Sequence, residues 1–486
     1  MAEQVIWSCP CGQVKGQKLQ NAFLFRGLPY AETERFQSPV LIRHWEGVHD
    51  GTADETDCWQ RSCFEDESGT FYGREFRAGR SFRYAESPMT LNVVSPSSEG
   101  RRPVLLFFHG GAFETGTVGE LPYGTSTEYA KRGIVLVSAG YRLNAFGLYG
   151  GSNFGLQDQL SAVDWVRDNI AAFGGDPEQI TVMGQSAGAM SVMDLLCSGK
   201  LSGKIRHAVM ISGAGIVPGF VSPLPREKTE AFWKKVDAAA GGDAGAADPE
   251  TLWHAWKQVK SREKMLKGMR LMQPCLDGTV LREPQSRTVR SGRLQNIPLM
   301  VSVTSQDYMP YFIFEMALQL GRLCSRKGHA PVYGYFFDRE LPGNSYRAFH
   351  ASDLWYLFGN MDQSWRPFEE RDYRLSAAMI DAVASFCRTG TPGDPKWLPL
   401  SDRQKGFRLF DGVSDGMTVV GLINQYVSRR DGGEGFLLQF VAKRTGIGGA
   451  VYLPQVPVQR LPVRSAPVPH RPVLERREMD VGIPPL

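Results

Sequence analysis

The chain has 486 residues, with 55 Lys plus Arg against 51 Asp plus Glu, a formal net charge of +4. So weak a balance over so long a chain gives no electrostatic footprint of a nucleic-acid or membrane-surface binder. With 22% charged and 42% hydrophobic residues, global disorder is excluded, and the 53 glycines, about 11% against a usual ~7%, point to tight turns and close backbone approaches.

The N-terminal stretch MAEQVIWSCPCGQ has no basic segment followed by an apolar one, so it does not read as a signal peptide. Nor does any run approach 18 uninterrupted apolar residues, the length of a membrane span. Cysteines 9, 11, 58, 63, 197, 275, 324 and 387 are scattered; Cys9-Pro10-Cys11 has no second ligand pair nearby, and no zinc ribbon is spaced out. Reduced thiols in a cytoplasmic protein are the expectation.

From about Val104 to Phe386, short apolar runs alternate with helical patterns. Val104–Phe108, Ile134–Val137, Ile180–Met183, Ala208–Ile211 and Leu299–Val303 are continuous runs without alternation, the signature of strands buried on both faces of a parallel sheet. Between them, Leu160, Val163, Val166, Ile170 and Phe173 recur at steps of three or four and predict a helix over Asp158–Phe173. The alternation predicts an α/β fold, a doubly wound sheet with helices on both faces.

Residues 215–297 lack strand runs and read as a helical insertion or cap. Asp248-Pro249-Glu250 is a helix start, with Trp253, Trp256 and Val259 following at steps of three. Residues 1–440 read as one catalytic domain. Residues 453–486 carry eight prolines and five arginines and predict a disordered or polyproline-like tail.

Gly184-Gln185-Ser186-Ala187-Gly188 matches G-x-S-x-G, a pattern expected by chance roughly 0.4 times in a chain of this length. A second match surrounds Ser414, between the turn pairs Asp411-Gly412 and Asp415-Gly416. Only the first lies between a strand and a helical run, the arrangement that lifts a serine hydroxyl above a sheet, so Ser186 is the candidate nucleophile.

A serine needs a base and a site for the oxyanion. The run Val104–Phe108 ends in His109-Gly110-Gly111-Ala112-Phe113; the N–H groups of Gly110, Gly111 and Ala187 are the candidate oxyanion donors. Where a serine sits on such an elbow, acid and histidine follow it in that order. His44, His49 and His109 precede it, His207 opens an apolar run, His254 lies in the cap, His329 starts a strand over Val332–Phe337, and His470 is in the tail. His350 remains as base. For the acid, Asp307 follows the strand Leu299–Val303, with Glu315 and Asp338 as rivals. An apolar pocket is expected, lined by Phe113, Tyr308, Phe312 and Trp355, and suited to neutral carboxylic esters.

These residues sit among further landmarks. Phe25-Arg26-Gly27-Leu28-Pro29-Tyr30-Ala31, Arg35-Phe36, Leu91-Asn92-Val93, Tyr141-Arg142-Leu143-Asn144, Gly155-Leu156-Gln157-Asp158-Gln159 and Phe173-Gly174-Gly175-Asp176-Pro177 follow in order. From about Gly12 to about Gly412 the chain resembles the type-B carboxylesterases, the α/β-hydrolase family of the para-nitrobenzyl esterases and cholinesterases. The resemblance implies a serine esterase with Ser186, Asp307 and His350 as triad, no cofactor and no metal, acting on a small-molecule ester. It also implies a buried structural ion pair between Arg142 and Asp158. Most relatives carry Glu-Gly where this chain has Asp307-Tyr308, and secreted relatives often have a cysteine where this chain has Ser87-Pro88-Met89, which leaves Cys58 without that partner. The alternative from another class is a non-catalytic, cholinesterase-like binding module.

Overall fold

The computed structural model describes residues 3–213, 222–263, 265–404, 406–411 and 417–418. The Pro/Arg-rich tail, Ser414, His470 and the first residues of the 215–297 segment lie outside them.

The continuous apolar runs form the centre of a 13-stranded sheet among the described residues. Val135–Ala139, Arg102–Phe108, Gly175–Gln185, His207–Ile211, Leu299–Thr304, Val332–Phe337 and Phe407–Phe410 lie side by side in that spatial order, all parallel. Along Arg102–Phe108 the side chains part by parity. Val104, Leu106 and Phe108 enter the core on one face, Leu105 and Phe107 that on the other. Every one of them is buried, which is why the run shows no polar alternation. On the first face pack the helices Phe154–Asn169, Ala187–Ser198 and Pro310–Arg326; on the second packs Glu370–Thr389 through Met379, Ile380, Val383 and Phe386. The expected α/β-hydrolase architecture, a mostly parallel sheet covered on both sides, is thus present.

The other end of the sheet is antiparallel. Gln4–Cys9 and Gly12–Lys18 form a hairpin whose turn needs Gly12 at φ +139°, and Phe23–Pro29 and Thr90–Ser95 connect it to Val135–Ala139. Apart from Leu91-Asn92-Val93, these strands were not legible as such, because Gln4–Cys9 alternates exposed and half-buried residues over too short a span.

The helix expected over Asp158–Phe173 runs from Phe154 to Asn169 and tightens into a 3₁₀ turn over Ile170–Phe173. Its start was obscured because Asn153 gives no side-chain cap and Gly155 sits where a Cβ would press on the Arg142 carbonyl. Between His207–Ile211 and Leu299–Thr304 lie the helices Glu230–Ala239, Pro249–Ser261, Met265–Leu271 and Gln285–Arg290. Asp248 caps the second of these by accepting from the Thr251 N–H (2.9 Å) and hydroxyl (2.6 Å), with Pro249 in the first turn. No described helix is long and apolar enough to cross a membrane.

Helix Ala187–Ser198 carries a buried acid. Asp194 accepts from Gln285 Nε2 at 2.6 Å, yet burial pushes its pKa up to about 8. In the unfolded chain an aspartate titrates near ~3.9, so the folded state holds a proton that the unfolded state has released between those values. This contribution to stability is whole below the unfolded pKa and is lost as pH rises toward 8. Asp194→Asn keeps the acceptor for Gln285 and removes the titration. Urea unfolding across pH 4 to 8 is therefore expected to give a variant whose advantage over wild type widens with pH; parallel profiles would refute this.

Candidate active site

The strand Gly175–Gln185 ends directly at Ser186, which has φ +54° and ψ −118°, and the helix Ala187–Ser198 starts at the next residue. That backbone is strained for any residue with a Cβ and persists only where neighbours hold it. Here the Ser186 N–H donates to the Ile211 carbonyl (2.8 Å) and its carbonyl accepts from Met190 (2.9 Å). Glycine is required around it: a Cβ on Gly188 would strike the Phe108 and His109 carbonyls, and one on Gly184 the backbone of Gly188.

The chain leaves strand Arg102–Phe108 through a tight loop in which Gly111, Ala112 and Phe113 all have positive φ (107°, 57° and 61°). Gly110 lies against the nucleophile, where an added Cβ would stand 3.1 Å from Ser186 Cβ. Gly116 is clamped at both ends by the buried Gln60, whose Oε1 accepts its N–H (2.9 Å) and whose Nε2 donates to its carbonyl (3.0 Å). The Tyr141 hydroxyl holds the His109 carbonyl (2.8 Å), and the Asn144 N–H holds that of Phe113 (2.6 Å). His109 itself lies beneath the loop; burial lowers its pKa to about 4, so it stays neutral and donates from Nδ1 to the Gly110 carbonyl (2.8 Å). Ala187, buried behind Ser186, opens its helix, so its N–H has no carbonyl partner within that helix.

His350 comes from the loop after Val332–Phe337, and Asp307 from the end of Leu299–Thr304. The Gln306 N–H donates to the Ala348 carbonyl (2.9 Å), which ties the two loops together. His350 Nδ1 lies 2.7 Å from Asp307 Oδ1 and its Nε2 2.9 Å from Ser186 Oγ. Beside an ionised Asp307, Nδ1 carries the proton and Nε2 is left to accept from the serine hydroxyl. Asp307 also accepts from the Tyr308 N–H (2.9 Å). Burial opposes charge on both members of the pair. The attraction between them wins: the Asp307 pKa lies below its ordinary value, and that of His350, helped by the charge of Asp353, above its own. Of the rival acids, neither Glu315, on the helix Pro310–Arg326, nor Asp338, after Val332–Phe337, takes the place that Asp307 holds at Nδ1.

Two neighbours of the imidazole escaped the sequence reading. Gln185, the variable residue before the serine, places Nε2 3.3 Å from His350 Nε2. Asp353 is fully buried, accepts from the Tyr335 hydroxyl (3.0 Å) and has its pKa pushed up to about 7 by burial. Neither stands out by residue type; only the folded loops bring them here.

Ser186, His350, Gly110, Gly111 and Tyr308 open into a cavity of about 720 Å³. Its lining is more apolar than polar, as expected, but it also carries charged side chains. One wall carries Glu120, which accepts from Tyr72 (2.5 Å), Tyr123 (2.9 Å) and Arg77 (3.2 Å), and another carries Lys257 and Lys260 above Trp253 and Trp256. Lys257 is paired with Glu65 and Lys260 with Glu114, so the charges are compensated. Of the four lining residues expected, only Tyr308 lines the cavity. Phe113 is buried in the core, Trp355 is wholly buried with its indole N–H on Glu75 (3.0 Å), and Phe312 packs against the core from its helix; Phe71, Phe76 and Leu354 supply the apolar wall instead. Helix faces and loop dihedrals, not nearness in sequence to the catalytic loops, decide which side chains point inward.

Residues 3–323 and 311–413 match the model of the carboxylesterase family. The chain belongs to the carboxylesterase family. Its reaction class is carboxylic ester hydrolysis. Among relatives of this carboxylesterase, the para-nitrobenzyl esterase of Bacillus subtilis (strain 168) is 29% identical over 463 residues, covering 81% of this chain and 91% of that protein. The acylcarnitine hydrolase of Mus musculus is 26% identical over 498 residues, covering 82% and 86%. In three dimensions, a solved para-nitrobenzyl esterase superposes with TM-score 0.74 at 25% identity, covering 87% of this chain and 99% of that one. A carboxylesterase of Geobacillus stearothermophilus gives 0.72 at 26%, with the same coverages.

The same structure carries the Arg142–Asp158 pair, bidentate at 2.8 and 2.7 Å and wholly buried. All eight cysteines are free thiols; Cys58 is buried and accepts from the Leu143 N–H at 3.3 Å.

Proposed function

We propose that this carboxylesterase hydrolyses neutral carboxylic esters by two-step acyl transfer through Ser186, His350 and Asp307. The observation that carries the reading is the imidazole bridging two partners, 2.9 Å from the serine hydroxyl and 2.7 Å from the carboxylate. Ser186 Oγ attacks the ester carbonyl while His350 Nε2 takes its proton. Asp307 holds the tautomer and stabilises the imidazolium. The N–H groups of Gly110, Gly111 and Ala187 receive the oxyanion, each worth about 2.7–4 kcal/mol in the transition state. The imidazolium returns its proton to the departing alcohol, and water activated by the same nitrogen releases the acid from Ser186. No cofactor, metal, nucleic acid or membrane enters this scheme. Residues 1–440 serve as one catalytic domain, the helical segment 215–297 as its cap, and the free thiols suit a cytoplasmic setting.

A fluorophosphonate probe tests the reading directly. Labelling is expected at Ser186, and absence of labelling together with absence of ester turnover would favour the non-catalytic binding module. The pH dependence gives a second check. Catalysis needs Nε2 unprotonated, so kcat/KM falls as pH drops through the His350 pKa, which lies above the ordinary imidazole value. Asp353 contributes to that elevation by its charge. Asp353→Asn is therefore expected to move the acid limb of the kcat/KM profile to lower pH; an unmoved limb would show that this carboxyl does not sense the imidazole.

A further inference from the structure

Tyr308 stands out on the molecule: at 77% it is the most exposed large hydrophobic side chain among the described residues, yet it lies at the mouth of the catalytic cavity. Its ring centroid is 4.6 Å from that of the His350 imidazole, at an interplanar angle of 44°. Its backbone is pinned, because the Tyr308 N–H donates to the same Asp307 oxygen that holds His350 Nδ1. The ring thus lies beside the base and leaves most of its surface exposed. Phe71 continues the apolar surface. It lines the cavity and stands edge-on to Phe349, the residue before His350, at 5.1 Å and to Tyr346 at 4.9 Å.

The chemistry says which part of the substrate meets this ring. His350 Nε2 must give its proton to the oxygen of the departing alcohol, so that oxygen lies within hydrogen-bond reach of the imidazole. The carbon skeleton attached to it runs past the imidazole, where Tyr308 stands. The acyl group leaves the tetrahedral reacting carbon in a different direction and stays bonded to Ser186 Oγ after the alcohol has gone. Once the alcohol has left, water occupies its place and the ring has no partner.

We infer that Tyr308 is a specificity-determining residue for the leaving group, an aromatic wall that favours esters of ring-bearing alcohols such as benzyl esters. The inference rests on the serine-esterase reading above. It assigns Tyr308 to acylation and gives it no part in deacylation.

The test compares benzyl butyrate with ethyl butyrate, which share one acyl-enzyme, for wild type, Tyr308→Ala and Tyr308→Phe. An aromatic contact of the usual strength predicts that the benzyl-to-ethyl ratio of kcat/KM falls roughly 3- to 10-fold in Tyr308→Ala and is retained in Tyr308→Phe. Deacylation of the butyryl-enzyme, followed after a burst with 4-nitrophenyl butyrate, should move by less than about twofold. Because the side chain is exposed, its removal leaves the core untouched, and fluorophosphonate labelling of Ser186 in the variant verifies an intact site. Normal labelling with an unchanged ratio overturns the inference alone. So does a loss that follows acyl size, read with methyl butyrate against methyl phenylacetate. If instead wild-type Ser186 resists the probe and Ser186→Ala keeps full turnover, the esterase reading fails and the inference falls with it.

Discussion

Replacing Ser186 by alanine is expected to lower kcat/KM for a chromogenic ester by a factor on the order of 10⁴–10⁶ while leaving the fold intact. The serine hydroxyl bonds to His350 and to the reacting carbon, not to the core. Alanine keeps the Cβ, and with it the same strained backbone that the Ile211 carbonyl and Met190 N–H already hold. His350→Ala should cost a similar factor, because a nucleophile without its base does little. The double variant should cost scarcely more than either, since the proposed mechanism makes the three side chains one unit. Steady-state kinetics on the three proteins, with urea unfolding to verify equal stability, decide the matter. Turnover within about tenfold of wild type in Ser186→Ala would remove the serine from the mechanism, and additive losses in the double variant would show that Ser186 and His350 do not act together.

What could be read from the chain follows from which physics is local. The parallel centre of the sheet was legible because strands such as Arg102–Phe108 are buried on both faces and leave continuous apolar runs. Ser186 was legible because the elbow packs its constraints into five consecutive residues: Gly184 and Gly188 are both needed where backbone meets backbone. His350 and Asp307 were reachable by chain order and by position after strands, since parallel strands deliver their C-terminal loops to one edge of the sheet. The antiparallel hairpin Gln4–Lys18 was not, because half-buried edge strands carry little pattern.

The surroundings of the site depend on contacts between distant segments. Gln60 clamps Gly116 across 56 residues, Gln185 meets His350 across 165, and the helix Pro249–Ser261 brings Lys257 and Lys260 over the cavity. Nothing in the residue types at those positions marks them, since a glutamine or lysine is as common on any surface. Three of the four expected lining residues were misplaced for the same reason. Trp355 is near His350 in sequence but turns to Glu75, whereas Trp253, nearly a hundred residues away, lines the cavity.

The largest loss of stability is expected from Asp158→Ala. Arg142 is 1% exposed, and Asp158 receives its Nε, its Nη2 and its backbone N–H. The guanidinium also donates from Nη1 to the Gln37 carbonyl at 2.8 Å. Removing the carboxylate strands a charge in the core that cannot deprotonate, a cost of about 3–5 kcal/mol against a total stability of about 5–15 kcal/mol for a typical domain. The damage should reach the active site, because Arg142 is two residues from Asn144, whose N–H and side chain fasten the loop that carries Gly110 and Gly111. Asp158→Ala should therefore unfold at much lower urea, and whatever remains folded should lose kcat more than KM. A paired replacement, Arg142→Met with Asp158→Leu, removes both charges and should recover most of the urea midpoint, since a buried ion pair is worth little over an apolar pair of similar volume. If the single variant unfolds within about 1 kcal/mol of wild type, the pair does not hold this part of the fold together, and the loop owes its shape to Gln60 and Tyr141 instead.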